Sequence, residues 1–438
     1  MRSPATMTPD AAATQPCAQP AAAPQAVGSG RALEAALGLG LLPYFLVRGW
    51  LNAALLVLGL ACMVLLARRR EGLAPLLAQP ALRWLMVALT APLAAVAAVQ
   101  AAHGELVPRY FEVPLRLVLS IPILLCLAQR RVDVVRMAGW VFPIAALSCA
   151  ALVLLSPGAS RYYWDGHAAS YFMDPLMLAQ HATIAGFLCL FSAQLDPRAG
   201  LGWRALRYAG FLAGLAVSVA THSRTGWTLF PVLAALWLIG IRRQNGRLRI
   251  AAALLAVALA CALMYAGSAT VQSRVDEAGR DLAQYFHGGD RDTSLGIRIS
   301  LLRANWALFL QQPWRGWGFT GVPPLAAVPG IQQYFTPLFE GYFIRSGAHN
   351  EIMQSLMRMG LPGLVSRLLL FGVPLLLFAR AARASGSRRA AGYLGLAVVL
   401  GYLGAGASTE VINLVYAGSF YALLVAAFAA ATFHETHP

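Results

Sequence analysis

The chain alternates between apolar runs close to membrane-spanning length and short polar segments that are rich in arginine. An apolar stretch of about 20 residues is long enough to cross a bilayer as a helix. The sequence predicts an all-α integral membrane protein with about twelve transmembrane helices. They lie near residues 32–47, 50–67, 82–102, 113–128, 134–155, 174–194, 204–221, 225–241, 248–266, 354–379, 391–408 and 411–431.

The distribution of basic residues predicts the orientation of these helices. The chain has 34 basic residues, all of them arginine, and 18 acidic ones. The arginines concentrate in alternate segments, such as "ARRR" (67–70) and "RRQNGRLR" (242–249). Because basic loops stay in the cytoplasm, we place both termini there. The positive charge therefore indicates topology, and no nucleic-acid partner is predicted, since nucleic-acid binders gather basic residues on one exposed face.

We divide the chain into five segments. Residues 1–30 are rich in alanine and proline and lack the apolar core of a signal peptide, so they are predicted to be a disordered cytoplasmic tail. Residues 31–266 hold nine helices, residues 350–432 hold three, and residues 433–438 form a second cytoplasmic tail. Between the two helical parts, residues 267–349 form an exterior loop, and loops of this length are often functional.

The long loop contains one predicted amphipathic helix. Thr293 or Ser294 can cap it, and the run "QQPWRGWGF" ends it. Its apolar positions recur at helical spacing and are Ile297, Leu301, Leu302, Trp306, Phe309 and Leu310. The simplest interpretation is a helix lying on the membrane surface.

Several exterior arginines are candidates for binding a phosphate group, because a guanidinium binds phosphate through two parallel hydrogen bonds. Arg224 lies in "THSRTGW" and Arg298 in "SLGIRISLL". Arg116 begins the fourth predicted helix, and Arg367 lies deeper along the tenth. The alternative for each is an arginine that reaches the interface without a ligand. For the exterior residues Arg109, Arg161 and Arg345, a solvated loop is the default interpretation.

Two histidines are candidates for handling a proton. His349 lies where the long loop meets the next helix, with Asn350 beside it to orient the ring. The run "MGLPGL" (359–364) predicts a bend in that helix just inside the membrane. An imidazole titrates near neutrality and can accept a proton from a hydroxyl, although an interfacial histidine often has no chemical role. His181 lies within a predicted helix, where it lines the same cavity or forms a packing hydrogen bond.

The sequence offers little support for a metal or cofactor, and we expect none. Asp290 and Asp292 form an isolated D-x-D pair among turn residues. No HExxH, P-loop or GxSxG motif is present. The acidic residues Asp276, Glu277 and Asp281 are predicted to pair on an exposed helix with Arg274 and Arg280.

Three stretches, in this order, resemble the O-antigen ligase and polymerase superfamily. They are "THSRTGWTLF", "GIRISLLRANWALFLQQPWRGWGF" and "AHNEIMQSLMRMGLPGLV", which fall within residues 215–375. The resemblance implies a fold like that of GT-C glycosyltransferases. It also implies periplasmic transfer of a glycan from undecaprenyl diphosphate to a sugar hydroxyl of lipid A–core oligosaccharide. His349 then corresponds to the general base, and Arg224 and Arg298 to the arginines that bind the diphosphate.

Weaker candidate residues and alternative activities stand beside this resemblance. Arg116, Arg109, Arg161, His181 and Arg345 are weaker candidates for contacts with the diphosphate or lipid. Arg358 departs from the family pattern, in which an acidic or neutral residue often stands at its position. An O-antigen polymerase and a protein O-oligosaccharyltransferase are alternative activities. A lipid-linked oligosaccharide flippase also explains arginines in the membrane, but it does not require the long loop with a histidine at its end.

Overall fold

The structure is a computed structural model, and it describes residues 27–68, 72–130, 132–155, 167–196, 199–241, 247–320 and 328–433. These residues form sixteen α-helices and a few short 3-10 turns, with no β-strand among them. The helices are α1 (Val27–Leu41), α2 (Trp50–Arg68), α3 (Leu73–Leu77), α4 (Pro80–His103), α5 (Glu112–Gln129), α6 (Val134–Leu155), α7 (Pro175–Leu195), α8 (Leu201–Ala220), α9 (Arg224–Ile241), α10 (Arg247–Gly267), α11 (Ala269–Phe286), α12 (Ser294–Gln311), α13 (Pro337–Ser346), α14 (Glu351–Ala381), α15 (Gly386–Gly406) and α16 (Val415–Thr432).

The all-α prediction is confirmed, and the chain is a multi-pass membrane protein. Within the described ranges, eight helices are long and apolar enough to cross a membrane: α2, α4, α5 with the turn before it, α6, α7, α14, α15 and α16. A ninth is added if Leu254–Gly267 and Val271–Phe286, joined at 99°, are taken as one bent span. The other predicted spans coincide with α1, α8, α9 and α10. Since α1 has only 15 residues and α8 carries Arg204 and Arg207, a count of twelve stays a prediction.

Successive helices run in opposite directions, so their connections meet at two ends of the bundle. At one end, here called the site end, α4, α8 and α15 finish and α5, α9, α14 and α16 begin. Contacts between the connections show this: His103 lies against the carbonyl of Arg315, His167 against that of Thr221, and Asn350 donates to that of Ala407. At the opposite end, arginines are paired with acids, as in Arg207–Asp196 at 2.8 Å.

The centre of the bundle consists of α7, α15 and α16, which are buried on nearly all sides. Many of their side chains are alanine or glycine, which lets the helix backbones approach closely, as is usual in membranes. Large aromatic residues fill the remaining space, and Tyr402, Tyr421 and Phe428 are fully buried. This core holds the helices that carry the candidate site at fixed positions.

The long loop folds as a helical layer with its own apolar core. Within it, Thr293 caps α12 by accepting a hydrogen bond from the Gly296 N–H at 3.1 Å, as the sequence predicts. The expectation that α12 lies on the membrane surface is wrong for its main apolar face. That face packs in a core with residues of α13 and α14; the core includes Ile297, Leu301, Leu308, Phe339, Phe343 and Met357. Trp306 and Leu310 remain exposed on the other side of α12.

The glycine-rich turn after α12 docks onto a break in α14. Gly360 has φ 61° and ψ −147°, which interrupts the helix where the run "MGLPGL" predicted a bend. Trp317 and Gly318 donate to the carbonyls of Met357 and Arg358, both at 2.9 Å. In return, the N–H of Leu361 donates to the carbonyl of Pro313 at 2.8 Å. These bonds satisfy backbone groups that the break leaves without helical partners, and they fix the long loop to the bundle.

Candidate active site

His349 lies in the short connection between α13 and α14, at the site end. Its φ of 48° is in the left-handed region, which few residues other than glycine adopt. The side chain of Asn350 caps α14 by accepting from Ile352 and Met353, and it donates to the carbonyl of Ala407 at 3.1 Å. Asn350 therefore fixes the backbone that presents the histidine, and its side chain bonds to backbone groups rather than to the imidazole.

The imidazole of His349 is held in its neutral form. Burial, followed by the positive charge of Arg298, lowers the pKa of His349 to about 4. The ring lies beside Tyr342, with 5.9 Å between the ring centroids. Its Nε2 atom is buried and has no hydrogen-bond partner among the described residues. A neutral imidazole with a free ring nitrogen has the capacity to accept a proton.

Arg298 projects from α12 close to both His349 and Arg224. Burial lowers the pKa of Arg298, the charge of Arg224 lowers it further, and Tyr342 opposes the shift. No carboxylate lies within 4 Å of the Arg298 guanidinium in the part of the chain that the structure describes. A half-buried cation beside a second cation is unfavourable unless an anion joins them.

Arg224 is the first residue of α9 and is held by carboxylates of α11. Its Nη2 atom lies 2.6 Å from Glu277 Oε2, and its Nη1 atom lies 4.0 Å from Asp281 Oδ2. Asp281 also accepts a hydrogen bond from the Leu295 N–H at 3.2 Å, in the first turn of α12. The prediction that these acids pair on an exposed helix with Arg274 and Arg280 is confirmed for Glu277 and Arg274. In addition, α11 bridges the two helices that carry Arg224 and Arg298.

The residues around Arg224 explain the Ser-Arg-Thr-Gly sequence. Ser223 and Thr225 are buried and their hydroxyls lie 2.7 Å apart. A Cβ added to Gly226 would lie 2.6 Å from Ala179 Cβ and 2.5 Å from Ser218 Oγ, so only glycine allows α9 to pack this closely on α7 and α8. The motif thus positions the first turn of α9 at the site end, with Arg224 directed toward the loop.

The weaker candidates that the structure describes contact residues other than Arg224, Arg298 and His349. Arg116 contacts its own helix, with Nη1 2.5 Å from the Glu112 carbonyl and 3.9 Å from the Glu112 carboxylate. Arg109 is exposed and bonds to Tyr110 at 3.0 Å. His181 is fully buried and bonds to the Met177 carbonyl and the Tyr402 hydroxyl, so the structure favours its packing role. Arg161 and the side chain of Arg345 lie outside the described residues.

Arg367 has partners that the sequence does not reveal. Its Nε atom lies 2.7 Å from Glu351 Oε1 and 3.0 Å from Ser355 Oγ, and its Nη2 atom donates to Asn413 at 3.0 Å. The other carboxylate oxygen of Glu351 accepts from the N–H groups of Val411 and Ile412. This buried pair joins α14 to the connection between α15 and α16. Glu351 directly follows Asn350, so the pair lies next to His349 along the chain.

The aspartates of the D-x-D pair bond to their surroundings as turn residues do. Asp290 accepts from the N–H of Asp292, and Asp292 accepts from the hydroxyl of Thr336, which caps α13. Within the described ranges, no group of three or more histidine, cysteine or acidic side chains is arranged to hold a metal ion.

The fold and the site together define a class of protein. It is a polytopic helical membrane protein in which two arginines and a neutral imidazole share one end of the bundle, beneath a folded loop. Residues 209–368 match the family model of O-antigen ligase, Wzy_C. The matched segment contains Arg224, Arg298 and His349. No curated protein matches the sequence.

Proposed function

We propose that the protein is an O-antigen ligase that transfers a glycan from undecaprenyl diphosphate to a sugar hydroxyl of lipid A–core oligosaccharide. One observation supports this most directly. Two arginines whose charges act on each other stand beside a neutral imidazole that has a free, buried ring nitrogen. A donor that brings two phosphate groups would neutralise the arginines, and an acceptor hydroxyl would fill the vacant position on the imidazole.

The two arginines bind the diphosphate in this proposal. Arg298 has no carboxylate partner among the described residues, and Arg224 exchanges its bond with Glu277 for a bond with phosphate. Negative charge grows on the diphosphate as the glycosidic bond breaks. Fixed guanidinium groups in a site that excludes water stabilise this charge without reorganising. The arginines supply the positive charge that a metal ion supplies elsewhere, so the proposal includes neither metal nor cofactor.

His349 acts as the general base on the acceptor. The hydroxyl oxygen attacks the anomeric carbon, the bond from this carbon to the diphosphate oxygen breaks, and the electron pair stays on the diphosphate. The hydroxyl proton moves to Nε2 of His349, and attack opposite the leaving group inverts the anomeric centre. The bound diphosphate also offsets the charge of Arg298, which raises the pKa of His349 and makes it a better base.

The proposed location is the bacterial inner membrane, with both termini in the cytoplasm and the site end facing the periplasm. The basic segments of the sequence and the arginine–acid pairs at the opposite end of the bundle support this orientation. Both substrates are lipid-linked, so they reach the site end from the outer leaflet. Residues 267–349 then form the periplasmic cover of the site.

The test is transfer by the purified protein with lipid-linked glycan and lipid A–core as substrates. His349→Asn is the informative variant, because asparagine tolerates a left-handed φ and the loop should keep its shape. We expect a loss of about 10²-fold to 10⁴-fold in rate with unchanged donor binding. His287→Asn, at an exposed histidine after α11, is the control. Full activity in His349→Asn would refute the role of the base, and activity that disappears with a chelator would refute the metal-free scheme.

The activity within the family is decided in cells. Loss of a ligase leaves long lipid-linked glycan in the membrane and lipopolysaccharide without polymer. Loss of a polymerase instead leaves lipopolysaccharide that carries single repeat units. Loss of a protein O-oligosaccharyltransferase leaves lipopolysaccharide intact and removes glycan from proteins. Only the first phenotype agrees with the proposal.

A further inference from the structure

A second cationic cleft opens at the site end, on helices that do not carry Arg224 or Arg298. It lies between α4, α5 and α14. Its deep walls are apolar, with Pro92 and Leu117 among them, and its polar lining includes Gln354, Arg358 and Asn413.

Arg358 is the main cation of the cleft. Its guanidinium lies over the ring of Tyr110, 5.1 Å from the centroid, and Arg109 lies 4.8 Å from the same ring. No carboxylate in the described part of the chain lies within 4 Å of Arg358. A guanidinium stacked on an aromatic face keeps its N–H edges available for a planar contact with an anion.

Gln354 supplies a second donor. The side chain is 1% exposed, and its Oε1 atom accepts the N–H of Ala348 at 2.7 Å, which fixes which end of the amide is oxygen. Its Nε2 atom is buried and has no partner among the described residues. Two amide hydrogens without acceptors in a buried cleft are costly, and an anionic oxygen would satisfy them.

Two other polar side chains of the cleft are already engaged. Asn413 donates to Glu410 at 2.9 Å, and its oxygen accepts from Arg367. Ser355 donates to the Glu351 carbonyl and accepts from Arg367. Burial raises the pKa of Glu410, although Arg358 and Arg367 act against this, so Glu410 is a weak counterion for Arg358. The polar groups of the cleft that lack hydrogen-bond partners among the described residues, the guanidinium of Arg358 and the amide nitrogen of Gln354, are therefore donors. A ligand rich in acceptor oxygens would satisfy them.

The side chain of Gln354 connects the cleft to the segment that carries the proposed base, His349. Gln354 lines the cleft, and its amide oxygen accepts from the N–H of Ala348, the residue before His349. A ligand in the cleft therefore lies near the imidazole from the side of α4, α5 and α14, whereas Arg224 and Arg298 approach from α9 and α12. We propose that Arg358 and the amide of Gln354 bind a phosphate group of the acceptor glycolipid, with Tyr110 holding the guanidinium in place.

The identity of the lipid as the acceptor rests on the proposed function, but binding of phosphate at this cleft does not. The experiment therefore measures binding without a donor. The protein is placed in nanodiscs of phosphatidylcholine and titrated with lipid A–core, with the same lipid after enzymatic removal of its phosphates, and with inorganic phosphate. The variants are Arg358→Gln and, as a matched control, Arg315→Gln on the exposed part of the nearby turn.

We expect the wild type and Arg315→Gln to prefer the phosphorylated lipid by about tenfold or more, and Arg358→Gln to lose this preference. Arg358→Lys keeps the charge but loses the paired N–H donors of the guanidinium, so its preference should lie between those of the wild type and Arg358→Gln. It also provides the test if Arg358→Gln does not fold. An unchanged preference in both Arg358 variants overturns the proposal. Displacement of the lipid by inorganic phosphate at equal concentration would identify a free-phosphate site and overturn the acceptor assignment.

The outcome is separable from that of the proposed function. Binding of undecaprenyl diphosphate to Arg358→Gln should equal that of the wild type, because Arg358 lies outside the donor pair. If the wild type discriminates between the lipids but transfers no glycan, the cleft stands and the ligase proposal fails. If transfer occurs but Arg358→Gln binds both lipids as the wild type does, the ligase proposal stands and the cleft fails.

Discussion

Arg224 and Glu277 form a close ion pair, with 2.6 Å between Nη2 and Oε2, which ties the first turn of α9 to the middle of α11. Glu277 is partly exposed and also contacts Arg274 at 3.1 Å. The carboxylate thus occupies a position on Arg224 that the proposed function assigns to the donor diphosphate. Donor binding and the α11 contact therefore compete for the same guanidinium.

We predict that Glu277→Gln binds undecaprenyl diphosphate about two to five times more tightly than the wild type at low ionic strength. The amide removes a competing charge, and the effect is small because the pair is partly exposed and screened. Binding is measured by titration of the purified protein, with Glu340→Gln on the exposed face of α13 as the control. Weaker binding in Glu277→Gln would show instead that Glu277 positions Arg224 for the donor.

The charge of Arg298 gives a prediction for the titration of His349. Burial and Arg298 together lower the pKa of this histidine to about 4, so Arg298→Gln should raise it while burial still keeps it below about 6.5. The rate of diethylpyrocarbonate labelling at His349, followed by mass spectrometry of its peptide, reports the neutral fraction against pH. The control is Arg303→Gln, on the same helix but stacked on Tyr285. Equal midpoints in the wild type and Arg298→Gln would show that Arg298 does not act on the imidazole.

The lowered pKa of His349 also predicts how the free energy of unfolding depends on pH. The pKa of His349 is lower in the folded state than the ordinary value, so the unfolded state binds more protons as the pH falls. The free energy of unfolding should therefore decrease from about pH 6.5 toward pH 4, and it should decrease less in Arg298→Gln. Thermal unfolding in detergent across this pH range measures the difference. A steeper loss in Arg298→Gln would contradict the assignment.

The residue pattern predicted most of the helices and the family resemblance named the main candidate residues, but neither predicted their partners. Helical spacing and the Thr293 cap located α12, because both signals depend only on residues close together in the sequence. The ion pair between Arg224 and Glu277 depends on the path of the loop through space, which the spacing of nearby residues does not predict. The cleft at Arg358 was missed for the same reason, since Tyr110 and Gln354 are far apart in sequence.

The docked turn shows how a local signal becomes a long-range contact. The sequence predicted that Gly316 and Gly318 end a helix and that Gly360 bends another, and both predictions are confirmed. It did not predict that the two glycine segments bond to each other. A Cβ added to Gly316 would lie 2.4 Å from the carbonyl carbon of Arg358, so the contact requires glycine as well as a turn.

We therefore predict that Gly316→Ala destabilises the protein by about 1–3 kcal/mol, because the residue combines a φ of 64° with a backbone clash. Thermal unfolding in detergent is the measurement. Gly279→Ala is the matched control, because this glycine lies in α11 with open space around its Cβ position. A helical glycine replaced by alanine should be neutral or gain up to about 1 kcal/mol. Equal unfolding temperatures for the two variants would show that the turn is not docked.

The buried pair of Glu351 and Arg367 gives the last prediction, because it combines stability with the position of the base. The two side chains are nearly inaccessible and 2.7 Å apart, and Glu351 also holds Val411 and Ile412. Loss of one partner leaves a buried charge uncompensated, so Arg367→Met should cost about 3–5 kcal/mol. Adding Glu351→Gln to Arg367→Met should recover part of this loss, because the remaining side chain is then neutral and still accepts both backbone bonds.

A double-mutant cycle on thermal stability measures the coupling of the pair. Additive losses would show that the two side chains do not act as a pair. Activity provides a second measure, because the connection that Glu351 holds also carries Ala407, whose carbonyl binds the cap residue Asn350. The double variant should therefore recover more of its stability than of its transfer rate, since the bond from Arg367 to Asn413 in the same connection is still missing.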